Sequence, residues 1–242
     1  MKVPSRLPVS TSRGDVLLCE VFGPTIQGEG PSAGQVASFL RTGGCNLACD
    51  SCDTPYSWDW RRFSRAEQTR RVPAQDVAAE ILRHPGELVI VTGGEPMMQQ
   101  SRLAPAAALL AAAGRRIEVE TNGTIAPACG AFDQHVALYV VSPKLTHMGM
   151  PERRRIRPEV LAAFQASGRA VFKFVLDGPQ DVDELAALQD RHGLGPVWVM
   201  PQATTAAAVT RGMRALADAA IERGWNISPR LHVLLWEDER GR

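Results

Sequence analysis

The sequence predicts an α/β fold, specifically an incomplete (β/α)6-like barrel in a single domain. Apolar runs typical of buried strands alternate with segments whose apolar residues recur at helical spacing. About six strands have an associated helix, fewer than the eight of a complete barrel. The composition marks no internal break, so we expect one domain over residues 15–242, preceded by a flexible leader over residues 1–14.

The first two strands are predicted to be neighbours. A strand over residues 15–22 is followed by a segment over residues 23–31 that contains too many Gly and Pro residues for a helix, and a second strand covers residues 36–41. Because the connection is short and has no helical pattern, we expect a functional loop between neighbouring strands and not a strand-helix-strand unit.

From residue 73 onwards, helices and strands alternate. Helical spacing predicts a helix over residues 73–84, and an uninterrupted apolar run predicts a buried parallel strand over residues 87–92. The later predicted elements are a helix at 101–113, strands at 117–121 and 138–142, a helix at 158–167, a strand at 170–176, a helix at 181–191, a strand at 197–200 and a helix at 205–223.

Composition and charge narrow the class of protein. The formal net charge of +1 gives no electrostatic reason to expect nucleic-acid or membrane partners, and hydrophobic residues at 45% can fill a large core. No apolar run approaches the length of a membrane span, and the N-terminus does not resemble a signal peptide. Residues 58–62 and 152–155 are predicted to be solvated charged connections. We therefore expect a soluble, cytoplasmic protein.

Three cysteines, Cys45, Cys49 and Cys52, follow the second strand with C-x3-C-x2-C spacing. Thiolates this close in sequence indicate a metal site, either an iron-sulfur cluster or a partial zinc site. Both kinds of site normally use four ligands. No fourth Cys or His lies nearby, because Cys19 precedes the group and Cys129 comes far after it, and both are interpreted as small buried residues. A cluster on three cysteines leaves one iron open to a small molecule.

Polar or glycine-rich segments follow the later strands, at the end of a parallel sheet where ligands gather. They are Gly-Gly-Glu-Pro at 93–96, Thr-Asn-Gly-Thr at 121–124, Ser-Pro-Lys at 142–144 and Pro-Gln at 201–202. Glycines let the backbone approach a ligand closely, and Glu95 supplies a fixed acceptor. Each segment alone is common turn chemistry, so their joint occurrence with the cysteines carries the prediction of a ligand site.

These segments together resemble the radical S-adenosylmethionine (SAM) superfamily and, within it, the 7-carboxy-7-deazaguanine synthase family. The resemblance spans nearly the whole chain from Leu17 onwards. It is carried by residues 20–30, 39–47, 52–56, 92–96, 120–124, 142–144 and 230–236. It implies a radical SAM partial barrel that converts 6-carboxy-5,6,7,8-tetrahydropterin into 7-carboxy-7-deazaguanine with loss of ammonia, in the biosynthesis of queuosine and related 7-deazapurines.

The resemblance also implies the cofactors and their residues. A 4Fe-4S cluster is expected on Cys45, Cys49 and Cys52, and Mg²⁺ on Thr54. The residues implied to bind SAM are Gly93, Gly94, Glu95, Thr121, Asn122, Ser142, Lys144 and Gln202. The residues implied to bind the pterin substrate are Gln27, Gly28, Glu29, Arg41, Thr92, Glu120 and His232. The implied mechanism is reductive cleavage of SAM to methionine and a 5'-deoxyadenosyl radical, which then abstracts hydrogen from C6 of the pterin.

Several of these residue types suit a carboxylated pterin. Gln27 and Glu29, on a glycine-flanked loop, offer an amide and an acceptor for its guanidine-like edge. Arg41 offers a planar donor fork for its carboxylate, which a lysine would match less well. Mg²⁺ prefers hard oxygen ligands, so the Thr54 hydroxyl and the substrate carboxylate are plausible ligands.

Alternative roles remain open for some of them. Thr54 can instead cap a turn, and Asp53 can cap the loop or be mistaken for the metal ligand. His232 lies between apolar residues, where a buried and satisfied side chain is the usual finding. Glu118 and Glu120 share a strand face, so one of the two can be structural.

Two rival functions are also considered. One is a radical SAM activase that generates a glycyl radical on a partner protein, and the other is a non-catalytic iron-sulfur or zinc module, which leaves the segments after the strands without a task. For the favoured enzyme we expect an external reductant such as a flavodoxin or ferredoxin. We also expect a homodimer, because an open barrel has exposed strand edges.

Overall fold

One open sheet of nine strands organises the chain. The computed structural model describes residues 14–128, 130–237 and 239–241. The strands are β1 (Val16–Ile26), β2 (Val36–Thr42), β3 (Arg70–Val72), β4 (Leu88–Gly93), β5 (Arg116–Thr121), β6 (Val136–Val141), β7 (Ala170–Leu176), β8 (Val197–Pro201) and β9 (Asn226–Ile227). They lie in the order β3-β1-β2-β4-β5-β6-β7-β8-β9.

The sheet is mostly parallel, which confirms the predicted fold class of an incomplete barrel in a single domain. Strand β2 and strands β4 to β9 pair in parallel. The short β9 extends one edge. At the other edge β1 pairs antiparallel with both β2 and β3, so β1 and β2 are neighbours as predicted. The sequence did not predict the two shortest strands, β3 and β9.

Eight α-helices accompany the strands within the described residues. They are α1 (Arg65–Gln68), α2 (Ala74–Leu82), α3 (Gln100–Ala112), α4 (Glu152–Arg155), α5 (Pro158–Ala166), α6 (Val182–His192), α7 (Ala206–Arg223) and α8 (Leu231–Trp236). The five predicted helices are present, with ends that differ by one or two residues. Helix α4 occupies the segment 152–155, which the sequence predicted as a connection without regular structure.

Strand β1 is longer than predicted. It continues from residue 22 to Ile26, through a segment that was expected to be all turn because it contains Gly23 and Pro24. The pairing of β1 with β2 shifts register between Phe22 and Thr25, so Pro24 lies at an irregularity of the ladder. Strand β3 pairs with β1 only at residues 16–18, so the other edge of β1 needs no donor at Pro24.

The two faces of the sheet have different tasks, as strand β7 illustrates. Phe172, Phe174 and Leu176 belong to the main apolar core, which the sheet shares with the helices. Lys173 and Val175 alternate with them on the inner face and line a cavity. Polar residues that occur at alternate positions near a strand end are thereby aimed into the barrel.

The interior of the barrel is closed at one end by apolar side chains. Ala37, Phe39, Leu88 and Ile90 form a small buried cluster, against which Phe22 packs. The rings of Phe22 and Phe39 stack with their centroids 4.8 Å apart. The carboxyl ends of the strands therefore remain as the open end of the barrel.

Within the described helices, none has both the length and the apolar character needed to cross a membrane. Residues 1–13 of the predicted leader and Cys129 lie outside the described residues, so the predictions made for them are not addressed. Cys19, the other cysteine away from the cluster of three, is half-buried and not in a disulfide.

Candidate active site

A cavity of about 440 Å³ opens at the carboxyl ends of the parallel strands, a volume typical of small-molecule sites. Every residue that the sequence implied for the site lines this cavity, except Glu95. Those that line it are Gln27, Gly28, Glu29, Arg41, Cys45, Cys49, Cys52, Thr54, Thr92, Gly93, Gly94, Glu120, Thr121, Asn122, Ser142, Lys144, Gln202 and His232. The fold thus brings residues from both ends of the chain into one site.

The cysteine loop, residues 43–54, is anchored to the segment that follows β4. The Gly94 amide donates to the carbonyl of Thr42 at 3.1 Å, and the Glu95 amide donates to the carbonyl of Gly44 at 2.8 Å. A Cβ on Gly94 would overlap the Gly44 carbonyl oxygen, so this close approach requires glycine. The two glycine-rich segments therefore form one backbone unit beneath the cysteines.

The three thiols of the loop are half-buried and not in disulfides. Burial raises the pKa of the Cys45 thiol to about 12 and also raises that of Cys49. Three N–H groups already face the sulfurs. The Leu47 backbone amide and the Asn122 side-chain amide lie 3.4 Å and 3.8 Å from Cys45 Sγ, and the Trp58 indole lies 3.2 Å from Cys52 Sγ. Thiolates in such surroundings need a cationic centre, and the donor set fits an iron-sulfur cluster.

A single metal ion fits the three thiols less well. In the described part of the chain, no three His, Cys, Asp or Glu side chains are close enough together to hold one ion. The ligands of a structural zinc converge on one centre at about 2.3 Å. In a 4Fe-4S cluster each cysteine binds a different iron, so its thiolates lie farther apart. Three thiols also fall one ligand short of a structural zinc site, whereas they match a cluster that leaves one iron open.

Glu95 is completely buried behind the cavity wall. Its carboxylate accepts hydrogen bonds from the backbone amides of Met97 at 2.9 Å and Asn122 at 2.7 Å, and from the Thr121 hydroxyl at 2.8 Å. The expectation that Glu95 contacts SAM stays a prediction. These contacts give the side chain a different task, which is to hold the segment after β5 in place.

The remaining SAM-site candidates form hydrogen bonds that leave polar groups for a ligand. The side-chain amide of Asn122 donates to Asn46 Oδ1 at 3.0 Å, which ties the segment after β5 to the cysteine loop. The side-chain amide nitrogen of Gln202 donates to the Ser51 carbonyl at 3.1 Å. Gln202 Oε1 is buried and has no hydrogen-bond partner among the described residues. A ligand donor at this position would satisfy it.

Arg41 is held on one side and open on the other. Its Nε donates to Glu20 Oε1 at 2.8 Å, and its guanidinium carbon lies 5.5 Å from the centre of the Phe22 ring. The same Glu20 oxygen accepts from the Tyr56 hydroxyl at 3.0 Å. In the described residues, the two terminal nitrogens of Arg41 have no hydrogen-bond acceptor. They form a donor fork that lines the cavity.

Glu29 is surrounded by cations. Lys173 donates to its Oε2, Arg230 Nε lies 3.3 Å from its Oε1, and His232 Nε2 lies 4.0 Å from the same oxygen. Burial opposes ionisation of Glu29, but the positive charges of Lys173 and Arg230 outweigh it and hold the pKa of the carboxyl well below its usual range. Glu29 is therefore an ionised acceptor in the cavity wall.

Gln27 and Glu120 form a second polar unit beside Glu29. Gln27 donates to Glu120 Oε1 at 3.2 Å and accepts from the Glu29 amide at 3.2 Å, while Thr92 donates to Glu120 Oε2 at 2.8 Å. Glu118 lies outside the cavity lining, where it pairs with Arg116 and Ser32. Of the two glutamates on this face, Glu118 is thus structural.

The open alternatives for Thr54, Asp53 and His232 can now be compared with their contacts. Thr54 precedes a 3-10 turn but makes no side-chain capping bond there. The Asp53 carboxylate pairs with Arg230 at 2.7 Å. Burial lowers the pKa of His232, whose ring packs so tightly against Gly28 that a Cβ on Gly28 would overlap it.

Sequence reasoning missed two cations of this site, Lys173 and Arg230. Both are nearly inaccessible to solvent and line the cavity. A signal was present for Lys173, because a single charged residue inside an apolar strand must find a partner. Arg230 had no such signal, since the described contacts that bury it come from residues 29, 53 and 203.

Comparison with known proteins is consistent with this geometry. A family model described as the radical SAM superfamily matches residues 39–227. A 7-carboxy-7-deazaguanine synthase from Pyrobaculum aerophilum is 35% identical over 230 residues, 94% of this chain and 97% of that protein. One from Hyperthermus butylicus is 35% identical over 222 residues, 89% and 91% of the two chains. The crystal structure of QueE from Escherichia coli shares the fold with a TM-score of 0.67 and 24% identity, over 90% of this chain and 98% of that one. The chain therefore belongs to the radical SAM superfamily and, within it, to the 7-carboxy-7-deazaguanine synthase family.

Proposed function

We propose that this protein converts 6-carboxy-5,6,7,8-tetrahydropterin into 7-carboxy-7-deazaguanine and ammonia, as a radical SAM enzyme of queuosine biosynthesis. The observation that carries the proposal is that one cavity is lined both by the three cluster cysteines and by the Arg41 fork and the Glu29 carboxylate. The two charged groups suit opposite ends of a carboxylated pterin. The family resemblance supplies the identity of the substrate.

Cys45, Cys49 and Cys52 would hold the 4Fe-4S cluster that this family requires. When bound, the cluster and SAM supply the radical chemistry that removes hydrogen from the substrate. The chain itself contributes a wall for SAM, built from Gly93, Gly94, Thr121, Asn122, Ser142, Lys144 and Gln202. The buried acceptor of Gln202 supports that assignment, because it needs a donor from a ligand.

Arg41 and Glu29 would orient the substrate between them. The terminal nitrogens of Arg41 bind the pterin carboxylate as a bidentate fork, and Glu20 fixes the angle of that fork through Nε. Glu29, kept ionised by its cations, accepts hydrogen bonds from the guanidine-like edge. Two contacts at opposite ends fix the ring in one orientation, which is the condition for selective reaction at one carbon.

Thr54 is proposed as the protein ligand of Mg²⁺, together with the substrate carboxylate. Its hydroxyl makes no capping bond and lies 3.8 Å from Cys52 Sγ, a long contact, and the residue lines the cavity where the substrate carboxylate would bind. Mg²⁺ binds few protein groups and keeps several waters, so a single hydroxyl from the chain is sufficient. The same cation would neutralise the carboxylate next to Arg41.

The remaining proposals concern partners and compartment. We infer a homodimer, because strands β3 and β9 end an open sheet and dimerisation would cover such edges. We also propose a one-electron donor of the flavodoxin or ferredoxin type, and a cytoplasmic location, which suits the four free cysteines of the described residues. Light scattering of the purified protein tests the dimer directly.

Anaerobic turnover tests the proposed reaction. Reconstituted protein is incubated with SAM, dithionite, Mg²⁺ and 6-carboxy-5,6,7,8-tetrahydropterin, and the products are separated and weighed by mass spectrometry. We expect 7-carboxy-7-deazaguanine in the sample with substrate and in none of the samples that lack SAM or dithionite. Cleavage of SAM without this product would retain the superfamily chemistry and overturn the substrate.

A further inference from the structure

Lys173 is a charged residue in the middle of an otherwise apolar strand. It lies on the face of β7 that lines the cavity, while its neighbours Phe172 and Phe174 pack into the core. Lys173 is 5% exposed. An ammonium group in such a place is stable only with a partner, and its partner is the Glu29 carboxylate. The strand therefore delivers a fixed cation to the wall of the proposed substrate site.

Lys173 retains donor capacity that the protein does not use. An ammonium group has three N–H donors, and in the described part of the chain Glu29 is the single acceptor that Lys173 contacts. Arg230, the other cation beside Glu29, also donates to the Ala203 carbonyl at 2.8 Å and to Asp53 at 2.7 Å. Lys173 therefore has N–H groups that contact no described acceptor and can donate to a ligand.

Glu29 and Lys173 thus present an acceptor and a donor side by side. This pair complements the lactam edge of a 2-amino-4-oxopteridine, where a ring N–H lies beside a carbonyl oxygen. On the basis of the proposed function, we propose that Lys173 determines substrate specificity: its ammonium donates to the ring carbonyl oxygen while Glu29 accepts from the adjacent ring N–H. Lys173 would then bind the substrate and not merely neutralise Glu29.

The proposal makes a prediction about one substituent on the ring. Replacing the 4-oxo group by an amino group turns the acceptor into a donor, which would face the ammonium of Lys173, and it removes the proton of the adjacent ring nitrogen, which would face Glu29. A site that offers a matched hydrogen bond to one group rejects the mismatched group, because buried polar atoms are then left unpaired. If Lys173 only neutralised Glu29, the preference should survive in Lys173→Met at neutral pH, because Arg230 still faces the carboxylate there, so the two roles give different results.

The test is equilibrium binding of two stable probes, pterin-6-carboxylic acid and 2,4-diaminopteridine-6-carboxylic acid, to reconstituted protein with SAM at neutral pH. Calorimetry measures the two dissociation constants for the natural chain, for Lys173→Met and for Lys173→Arg. Arg169→Met is the matched control, since it removes a cation from an ion pair with Asp133, 2.9 Å long, outside the cavity lining.

We expect the natural chain and Arg169→Met to favour the 4-oxo probe by roughly 10- to 100-fold. Lys173→Met should lose most of this preference through weaker binding of the 4-oxo probe, and Lys173→Arg should keep part of it. Equal loss of affinity for both probes in Lys173→Met, or no preference in the natural chain, would overturn the role of Lys173. Failure of the natural chain to bind either probe would overturn the proposed substrate as well.

Discussion

The indole Nε1 of Trp58 donates a hydrogen bond to Sγ of Cys52 across 3.2 Å. Trp58 belongs to a segment that the sequence predicted as a solvated connection, yet its side chain lines the cavity. Hydrogen bonds to the sulfurs of an iron-sulfur cluster stabilise its reduced, more negative state and so raise its reduction potential. The contact therefore predicts that Trp58 raises the reduction potential of the proposed cluster.

Replacing Trp58 by Phe should therefore lower the reduction potential of the cluster. The expected change corresponds to the loss of one hydrogen bond to a charged group, on the order of 1 kcal/mol. Redox titration followed by electron paramagnetic resonance measures it. Trp60→Phe is the control, because Trp60 is nearby in sequence and no bond from its side chain to a cysteine is described; equal shifts in both variants would rule out the contact as the cause.

Cys49→Ala should abolish cluster assembly, whereas Cys19→Ala should not. Cys49 lines the cavity with Cys45 and Cys52, while Cys19 lies outside the lining. Anaerobic reconstitution followed by iron and sulfide analysis gives the readout, with about four of each expected per chain for the natural protein and for Cys19→Ala. A full cluster in Cys49→Ala would contradict the assignment of ligands.

Glu95→Ala should destabilise the protein strongly. It would leave the donors of Met97, Thr121 and Asn122 buried without an acceptor. Each unsatisfied donor costs about 1–3 kcal/mol, so we expect the free energy of unfolding to fall by about 3 kcal/mol or more. Urea unfolding measures this change, and the exposed Glu159→Ala should stay within about 0.5 kcal/mol of the natural chain. Similar values for both variants would show that Glu95 does not fix this segment.

Arg41→Ala should weaken binding of the substrate through its carboxylate alone. Loss of a buried charged donor costs about 2–5 kcal/mol, which corresponds to at least a 30-fold weaker affinity, and Arg41→Lys should recover only part of it because a lysine has no planar fork. Binding of pterin-6-carboxylic acid is compared with binding of pterin without the carboxylate. If Arg41→Ala weakened both ligands equally, Arg41 would not be the carboxylate site.

Ionisation of Glu29 should contribute no pH dependence to binding of the pterin probe between about pH 7 and pH 5.5 in the natural chain. Glu29 has a depressed pKa, so it stays ionised throughout this window, with Lys173, Arg230 and His232 facing it and Glu120 nearby. In Lys173→Met, fewer cations would offset the burial of Glu29, so the pKa of its carboxyl would rise. Glu29 would then become protonated as the pH is lowered, and the affinity for the probe should fall. Calorimetry at several pH values measures this, and an unchanged profile in the variant would contradict the charge balance described here.

The family resemblance named the candidate site residues, and simple positional rules explain why several of them line one cavity. Arg41, Thr92 and Glu120 each occur near the carboxyl end of a parallel strand, on the inner face that alternation defines. The cysteines follow the same pattern, in the loop after β2. Local sequence patterns fix both the strand and the phase of its side chains, so these positions needed no tertiary information.

Other features depend on contacts that the sequence does not display. Glu95 belongs to a recognisable ligand-binding segment, yet its burial follows from the path of the segment after β5. The continuation of β1 past Pro24 depends on which edge of the strand has a partner. The charge of Lys173 inside an apolar strand signals that a partner exists, but the sequence does not show that the partner is Glu29.

Isotope transfer from the substrate shows whether the cluster, SAM and the pterin share one cavity. In a shared cavity, hydrogen passes directly from the substrate to the 5'-deoxyadenosyl group. Substrate labelled with deuterium at C6 is incubated anaerobically with reconstituted protein, SAM, Mg²⁺ and dithionite. We predict deuterium in the 5'-deoxyadenosyl group of the recovered SAM or 5'-deoxyadenosine, together with 7-carboxy-7-deazaguanine. Product that forms while the label stays on the pterin-derived ring or exchanges with water would contradict the shared site.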